Sequence, residues 1–125
     1  MPSIRAAAIQ FNVKQGDLAA NRAYVRAALQ RVADQGCNLV VLPEMWSTGF
    51  AYKTLRELAE QTDAVVAELC ELAQRHQLVI IGSQPEPADD GRVYNTIHIV
   101  DRGRVVGRYR KLHLFSLLGE DKAFK

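Results

Sequence analysis

Three short apolar runs, separated by two longer stretches of helical periodicity, constrain the fold of this chain more than any other feature. The runs cover residues 4–11, 39–42 and 78–81, and apolar runs of this length between turn residues are typical of buried strands. Helical connections between successive strands favour parallel neighbours that are covered by helices. The order of these segments therefore predicts an α/β fold.

The stretches between the runs predict helices with recognisable ends. Asp17 has the side chain of an N-cap for the first helix, and Gly36 stops that helix. Thr54 and Glu57 have the spacing of a capping box for a second, short helix. A third helix is predicted over residues 63–76. Its expected apolar stripe consists of Val66, Leu69, Cys70 and Ala73.

The last third of the chain predicts a β-hairpin. Residues 86–91 form a polar turn, and two strands follow at 93–100 and 104–111, joined by a tight turn. Residues 112–125 predict no clear helix or strand. The result is a mixed sheet of about five strands with helices on one face. Its other face would be bare, so either something covers that face or residues 1–125 are a domain that is incomplete at its C-terminus.

Composition narrows the class of protein. The 125 residues are 48% apolar and 24% charged, with a net charge of +2, as expected of one soluble domain that binds neither nucleic acid nor acidic membranes. No stretch approaches the roughly 20 apolar residues of a membrane span, and the first residues lack the pattern of a signal peptide. Cys37 and Cys70 have no CxxC spacing, which indicates reduced thiols without a zinc site. We therefore expect a cytoplasmic protein.

Glu44 is the first candidate for a chemical role. It follows a buried-type strand and Pro43, and sites in α/β sheets gather beyond the carboxyl ends of the strands. Flanked by Pro43, Met45 and Trp46, its carboxylate is expected to be partly desolvated, which suits general-base catalysis. The structural alternative is a surface glutamate in a salt bridge.

Lys111 is the second candidate, because strand periodicity places it on one face with Tyr109 while Arg108 and Arg110 lie on the other. A lysine that points inward needs an anionic partner, and Glu44 and Glu120 are the candidates. The structural alternative is a lysine that extends to solvent at the end of a strand.

A cysteine–histidine nucleophile is not supported by the sequence. Cys70 lies on the apolar stripe of a predicted helix, and Cys37 has no basic neighbour in sequence that would activate a thiol. His113, two residues beyond Lys111, therefore has no evident thiol partner. The individual residues alone indicate only a soluble α/β domain.

Taken together, four ordered segments resemble motifs of the nitrilase superfamily of carbon–nitrogen hydrolases. LPEMWSTGF at residues 42–50 resembles the family's LPE…TG(F/Y) motif, and YNT at 94–96 resembles its YN(T/S) strand. GRYRKLHLF at 107–115 resembles its G…YRK.HLF motif, followed by Gly119-Glu120. The resemblance covers essentially the whole chain as the N-terminal part of the family domain, and the first motif is most similar to ω-amidase-like members.

The resemblance implies an α-β-β-α sandwich, of which this chain would be the N-terminal half, and a Glu-Lys-Cys triad that needs no metal or organic cofactor. Glu44 would be the general base, Lys111 the oxyanion stabiliser and Glu120 an accessory glutamate. Trp46 and Phe50 are candidate substrate-binding residues, although the sequence leaves open whether they line a pocket or pack internally. Relatives are typically homo-oligomers.

The resemblance also has a gap, because the family's nucleophile belongs to a C-(Y/W/E)-D motif beyond Lys111 that these 125 residues do not contain. Three hypotheses follow: a truncated hydrolase of small amides, ω-amides of dicarboxylates or nitriles; one chain of a split hydrolase, with a partner chain supplying the cysteine; or a non-catalytic binding or regulatory half-domain. The chain alone is expected to be inactive.

Overall fold

Two helical crossovers and one hairpin build a single mixed sheet, seen in a computed structural model that describes residues 2–125. The strands are β1 (Ala6–Ala8), β2 (Leu39–Val41), β3 (Val79–Pro87), β4 (Val93–Asp101) and β5 (Arg104–Arg110). Their spatial order is the same as their sequence order, with β1, β2 and β3 parallel and β4 and β5 antiparallel. The predicted mixed sheet of five strands is confirmed.

The helices are α1 (Leu18–Asp34), α2 (Leu55–Ala59), α3 (Thr62–His76) and α4 (Glu120–Ala123). Asp17 caps α1 as predicted, since its Oδ1 accepts a hydrogen bond of 3.0 Å from the N–H of Ala20. Gly36 follows the end of α1 with a φ of 76°, a conformation that glycine adopts without strain. None of the helices in residues 2–125 is long and apolar enough to cross a membrane.

The core lies between the sheet and the two long helices. Side chains from α1 and α3 pack on one face of β2, β3 and β4, so the predicted placement of helices on a single face is confirmed. Burying an aliphatic side chain of this kind contributes about 1.5–3 kcal/mol. The most deeply buried members include Val25, Leu29, Val40, Leu69 and Ile80.

Several local predictions are wrong for identifiable reasons. Thr54 makes no side-chain cap; its hydroxyl lies 3.4 Å from the Ala51 carbonyl instead. The stripe of α3 is rotated by one position, so that Val65 and Leu72 are buried where Val66 was expected. β3 does not end at residue 81 but continues to Pro87, into the first two residues of the expected turn, because it pairs with β4 over its whole length.

The segment expected to lack regular structure contains a 3-10 turn, Ser116–Leu118, followed by α4. Phe124 anchors it, because its ring is fully buried in a second apolar cluster with Met45 and Leu55. The N–H of the next residue, Lys125, also bonds to the carbonyl of Val93 at 2.8 Å. Tertiary contacts, rather than a periodic pattern, hold these short elements in place.

A buried polar chain connects the loop after β2 to the sheet. The indole N–H of Trp46 donates to Oε1 of Gln84 at 2.7 Å, and Nε2 of Gln84 lies 2.9 Å from Nδ1 of His98. Because an indole can only donate, Gln84 must present its amide N–H to His98, and Nδ1 of His98 must accept. Burial lowers the pKa of His98, and the charge of Arg108 lowers it further.

The first prediction concerns this histidine. The unfolded chain binds a proton near the ordinary histidine pKa of about 6.5. The folded chain resists protonation because burial disfavours the charged ring, and Nδ1 of His98 already accepts the Gln84 N–H. We expect the free energy of unfolding to decrease as the pH falls from 7 to 5.5, with a slope of at most about 1.4 kcal/mol per pH unit for this group. Urea unfolding followed by Trp46 fluorescence measures the slope. An equal slope in His98→Gln would contradict the assignment.

The other face of the sheet carries an uncovered apolar surface. Val41 is 42% exposed, Ile97 is 36% exposed and Tyr109 is 53% exposed, and all three point away from α1 and α3. Ile81 lies half-buried between them. The structure therefore confirms the bare face that the sequence predicts, and uncovered surfaces of this kind drive association.

We expect the 125-residue chain to self-associate through this face. Static light scattering should show oligomers, and an apolar fluorescent dye should bind. Ile97→Lys places a charge on the face and should shift the chain toward monomer, whereas Leu117→Lys adds the same charge at a side chain that is 85% exposed on the 3-10 turn and should not. A dye-free monomer in the unsubstituted chain would contradict the prediction.

Candidate active site

The register of the β4–β5 hairpin brings two of the site's side chains together. Thr96 pairs with Arg110, and the ladder continues with the N–H of Lys111 donating to the carbonyl of Asn95 at 2.8 Å. Directly opposed residues of antiparallel strands point to the same face. Asn95 and Lys111 therefore project side by side on the uncovered face. A β-bulge between Ile99 and Val100 shifts the register of the hairpin by one residue.

Glu44 reaches this pair from the loop after β2. The N–H of Met45, whose φ is 52°, donates to Oγ of Ser83 at 2.8 Å. A positive φ is uncommon in a residue with a side chain, and here the surrounding contacts hold it. Met45 is fully buried on one side of the backbone, while the carboxylate of Glu44 extends toward the sheet. The result is one carboxylate at the carboxyl end of the parallel strands.

A single oxygen of this carboxylate receives two donors. Oε1 of Glu44 lies 3.0 Å from Nζ of Lys111 and 2.7 Å from Nδ2 of Asn95. Lys111 also contacts Glu120, with 3.1 Å between its Nζ and Oε2. The two anionic partners expected for Lys111 are therefore both present.

Glu120 is the most sheltered charge of the group. It is 5% exposed, and its Oε2 accepts a hydrogen bond of 2.6 Å from the N–H of Phe115. Burial alone would lower the pKa of Lys111, but the hydrogen bonds and charges of Glu44 and Glu120 outweigh it, so this pKa is raised. Lys111 is accordingly a stable ammonium group at neutral pH.

Aromatic side chains flank the charged group. Phe50 packs against Tyr52 and Phe124, with ring centroids 6.1 and 6.2 Å away. Burial raises the pKa of the Tyr52 hydroxyl, and the charge of Glu120 adds to the effect. The ammonium of Lys111 acts in the opposite direction, and burial is the largest of these causes.

A cavity of about 290 Å³ opens next to the charged group on the uncovered face. Its walls are largely apolar, with polar groups gathered at one end, which is the usual composition of a small-molecule site. No group of three His, Cys, Asp or Glu side chains in the described part of the chain is placed to hold a metal ion. The lining residues are Val41, Leu42, Glu44, Ile81, Gly82, Ser83, Asn95, Ile97, Tyr109 and Lys111.

The surroundings of Glu44 differ from those expected. Its side chain is 49% exposed, so about half of it is screened from water, but not by the residues that the sequence suggests. Met45 and Trp46, which were expected to shelter it, are 0% and 2% exposed and belong to the apolar clusters behind the loop. They turn away from the carboxylate, and the uncovered face leaves it open to water.

Of the other candidate residues, some pack in the apolar clusters and one contacts the charged group. Trp46 is buried in the core and does not line the cavity, so its geometry argues against contact with a substrate. Phe50 packs partly against the second apolar cluster. Neither Cys37 nor Cys70 lines the cavity. In the sequence Asn95 is only one residue of the YNT motif, and its contact with Glu44 follows from the hairpin register.

The stability of the charged group can be tested by removing its cation. We expect Lys111→Met to lower the free energy of unfolding by about 2 kcal/mol, because Glu120 would remain buried without its ammonium partner. The double substitution with Glu120→Gln should recover part of the loss, since the buried charge is then absent. Urea unfolding gives both values. Lys122→Met, at an exposed lysine of α4, serves as the control, and an equal loss there would contradict the assignment.

Comparisons with known proteins agree with one another. The family model for carbon-nitrogen hydrolase matches residues 5–124. A 2-oxoglutaramate amidase of Bacillus subtilis is 30% identical over 90% of this chain and 44% of its own length. The human omega-amidase is 30% identical over 94% of this chain and 43% of its own length.

Solved structures give the same result for the fold. A CN-hydrolase superfamily protein of Xanthomonas campestris matches with a TM-score of 0.88 and 28% identity, over all of this chain and 46% of the other. A Nesterenkonia amidase of the nitrilase superfamily matches with a TM-score of 0.87 and 26% identity, over 98% of this chain and 48% of the other. The chain spans about half the length of the relatives it matches. It belongs to the carbon-nitrogen hydrolase family, the nitrilase superfamily, and forms an omega-amidase-like N-terminal part of that fold.

Proposed function

We propose that this chain provides the general base and the oxyanion-stabilising cation for hydrolysis of non-peptide C–N bonds in small amides. The nucleophilic cysteine of the Glu-Lys-Cys triad would come from outside these 125 residues. The observation that carries the proposal is the contact of 3.0 Å between Glu44 and Lys111 beside an apolar cavity. A carboxylate and an ammonium held together at such a cavity suit acyl transfer.

The proposed reaction has two stages. Glu44 takes the proton of the thiol, the sulfur attacks the amide carbon, and Glu44 passes the proton to the departing ammonia, leaving a thioester. Glu44 then removes a proton from water, which attacks the thioester and releases the acid and the thiol. Lys111 donates hydrogen bonds to the oxyanion in both stages, and Glu120 holds Lys111 by its contact of 3.1 Å.

The names of the relatives support an amide substrate. Two of them are named as amidases, one for 2-oxoglutaramate and the other for omega-amides. A structure of the Nesterenkonia amidase has the acetamide moiety of fluoroacetamide bound covalently at its active-site cysteine. On this basis we propose small ω-amides of dicarboxylates as first substrates, with nitriles as a second class.

The uncovered sheet face favours one further arrangement. Its exposed Val41, Ile97 and Tyr109 would suit a second polypeptide segment that completes the sandwich, either from a longer form of this protein or from a separate chain.

A homo-oligomer is proposed by resemblance, and free Cys37 and Cys70 suit the reducing cytoplasm. A binding or regulatory half-domain would keep the face but have no need of the Glu44–Lys111 contact.

The proposal is tested by release of ammonia from ω-amides. We expect none from the 125-residue chain alone. A hybrid in which this chain replaces the matching 114-residue segment of the Bacillus subtilis amidase should hydrolyse them, if the rest of that amidase supplies the cysteine that the proposal places outside these 125 residues. Glu44→Gln or Lys111→Met in the hybrid should lower kcat by about 10²–10⁴-fold. Glu57→Gln, which alters an exposed glutamate of α2, is the matched control.

Two results would contradict the proposal. Turnover by the chain alone at about 1 per second or faster would show that no outside cysteine is needed. A hybrid with the circular dichroism and unfolding temperature of the parent amidase but without activity would show that this half does not supply a working base and cation.

A further inference from the structure

The two carboxylate oxygens of Glu44 have different surroundings. Oε1 accepts hydrogen bonds from Lys111 and from Asn95. Oε2 accepts none from the side chains or backbone of residues 2–125, and 49% of the side chain remains exposed. One oxygen is therefore held and the other is free to exchange a proton with an incoming group.

The orientation of the Asn95 amide follows from chemistry. An ionised carboxylate has only acceptor lone pairs, so an amide oxygen placed 2.7 Å away would be repelled. The amide N–H₂ must face Glu44, and the contact is a hydrogen bond to a charged acceptor, which is shorter and stronger than a neutral one. Asn95 is thus a hydrogen-bond donor to Oε1 of Glu44.

Asn95 is better fixed than Lys111. It is 4% exposed in the middle of the sheet, paired with Pro85 of β3 on one side and with the backbone of Lys111 on the other. Lys111 has four rotatable side-chain bonds and divides its ammonium between two carboxylates. The rigid donor to Oε1 is therefore the amide, while the ammonium remains available to a developing oxyanion.

We propose that Asn95 is the positioning residue that holds Oε1 of Glu44 and so directs Oε2 into the cavity as the proton-accepting oxygen. This assignment rests on the proposed hydrolase function. It gives Glu44 one anchored and one reactive oxygen, and it makes the direction of the base depend on the strand β4 as well as on the loop that carries Glu44.

The decisive substitution is Asn95→Asp, which keeps the size and shape of the side chain but replaces the donor with an acceptor. In the hybrid enzyme we expect it to lower kcat by about 100-fold, as a small misplacement of a catalytic group does, with KM changed by less than about twofold. Asn95→Ala should act in the same direction. Asn38→Ala, which removes an amide that bonds the Arg5 backbone at 2.9 Å, should leave both constants unchanged.

A second measurement needs no activity and uses the 125-residue chain itself. Three-bond carbon couplings about χ1 of Glu44 report whether the side chain keeps one rotamer. We expect a single rotamer in the unsubstituted chain and in Asn38→Ala, and averaging in Asn95→Asp and Asn95→Ala.

The outcomes separate this inference from the proposed function. Unchanged couplings in Asn95→Asp, or a kcat within twofold of the parent hybrid, would overturn the positioning role. Loss of the folded spectrum in both Asn95 variants would assign Asn95 to the core and would also overturn it. If the couplings average as expected while the unsubstituted hybrid is inactive, the hold on Glu44 stands and the hydrolase proposal fails.

Discussion

One ammonium group between two carboxylates joins the parts of the molecule that carry its chemistry. Lys111 lies at the end of β5, Glu44 in the loop after β2 and Glu120 at the start of α4, and Nζ of Lys111 reaches both acids within about 3.1 Å. A buried carboxylate such as Glu120 is tolerated only with a cation and hydrogen-bond donors beside it. The charged group therefore forms only when the last residues of the chain fold back onto the sheet, because that brings Glu120 next to Lys111.

The two faces of the sheet have separate tasks. The face toward α1 and α3 is filled by aliphatic side chains and the buried Trp46–Gln84–His98 chain, which fixes the back of the loop carrying Glu44. The opposite face holds the cavity and remains apolar and uncovered. Because the charged group lies at the edge of that uncovered face, a segment that covered the face would also set the dielectric around Glu44 and complete the walls of the cavity.

Periodic features of the fold could be predicted from the sequence, and features that depend on distant contacts could not. The apolar runs and the helical spacing report burial directly, so the order of the strands and long helices could be predicted, although β3 runs on to Pro87 and the stripe of α3 is rotated by one position. α4 could not be predicted, because it is held by the packing of Phe124 in the second apolar cluster and not by a local sequence pattern. Met45 and Trp46 do not shelter Glu44 as expected, because they pack into the apolar clusters on the other side of the loop, where Met45 has a positive φ. Asn95 was missed because its partner is 51 residues away in sequence.

The bulge in the hairpin decides which cation the site receives. At the turn, Asp101 pairs with Arg104, and this register continued without interruption would place Arg110 opposite Asn95. Because Val106 is unpaired at the bulge, the pairing of β5 with β4 shifts by one residue, and Lys111 lies opposite Asn95 instead of Arg110. A one-residue insertion in β5 beyond the bulge would exchange the amine for a permanently charged, planar guanidinium. The identity of the cation is thus encoded in the length of a strand as much as in the residue itself.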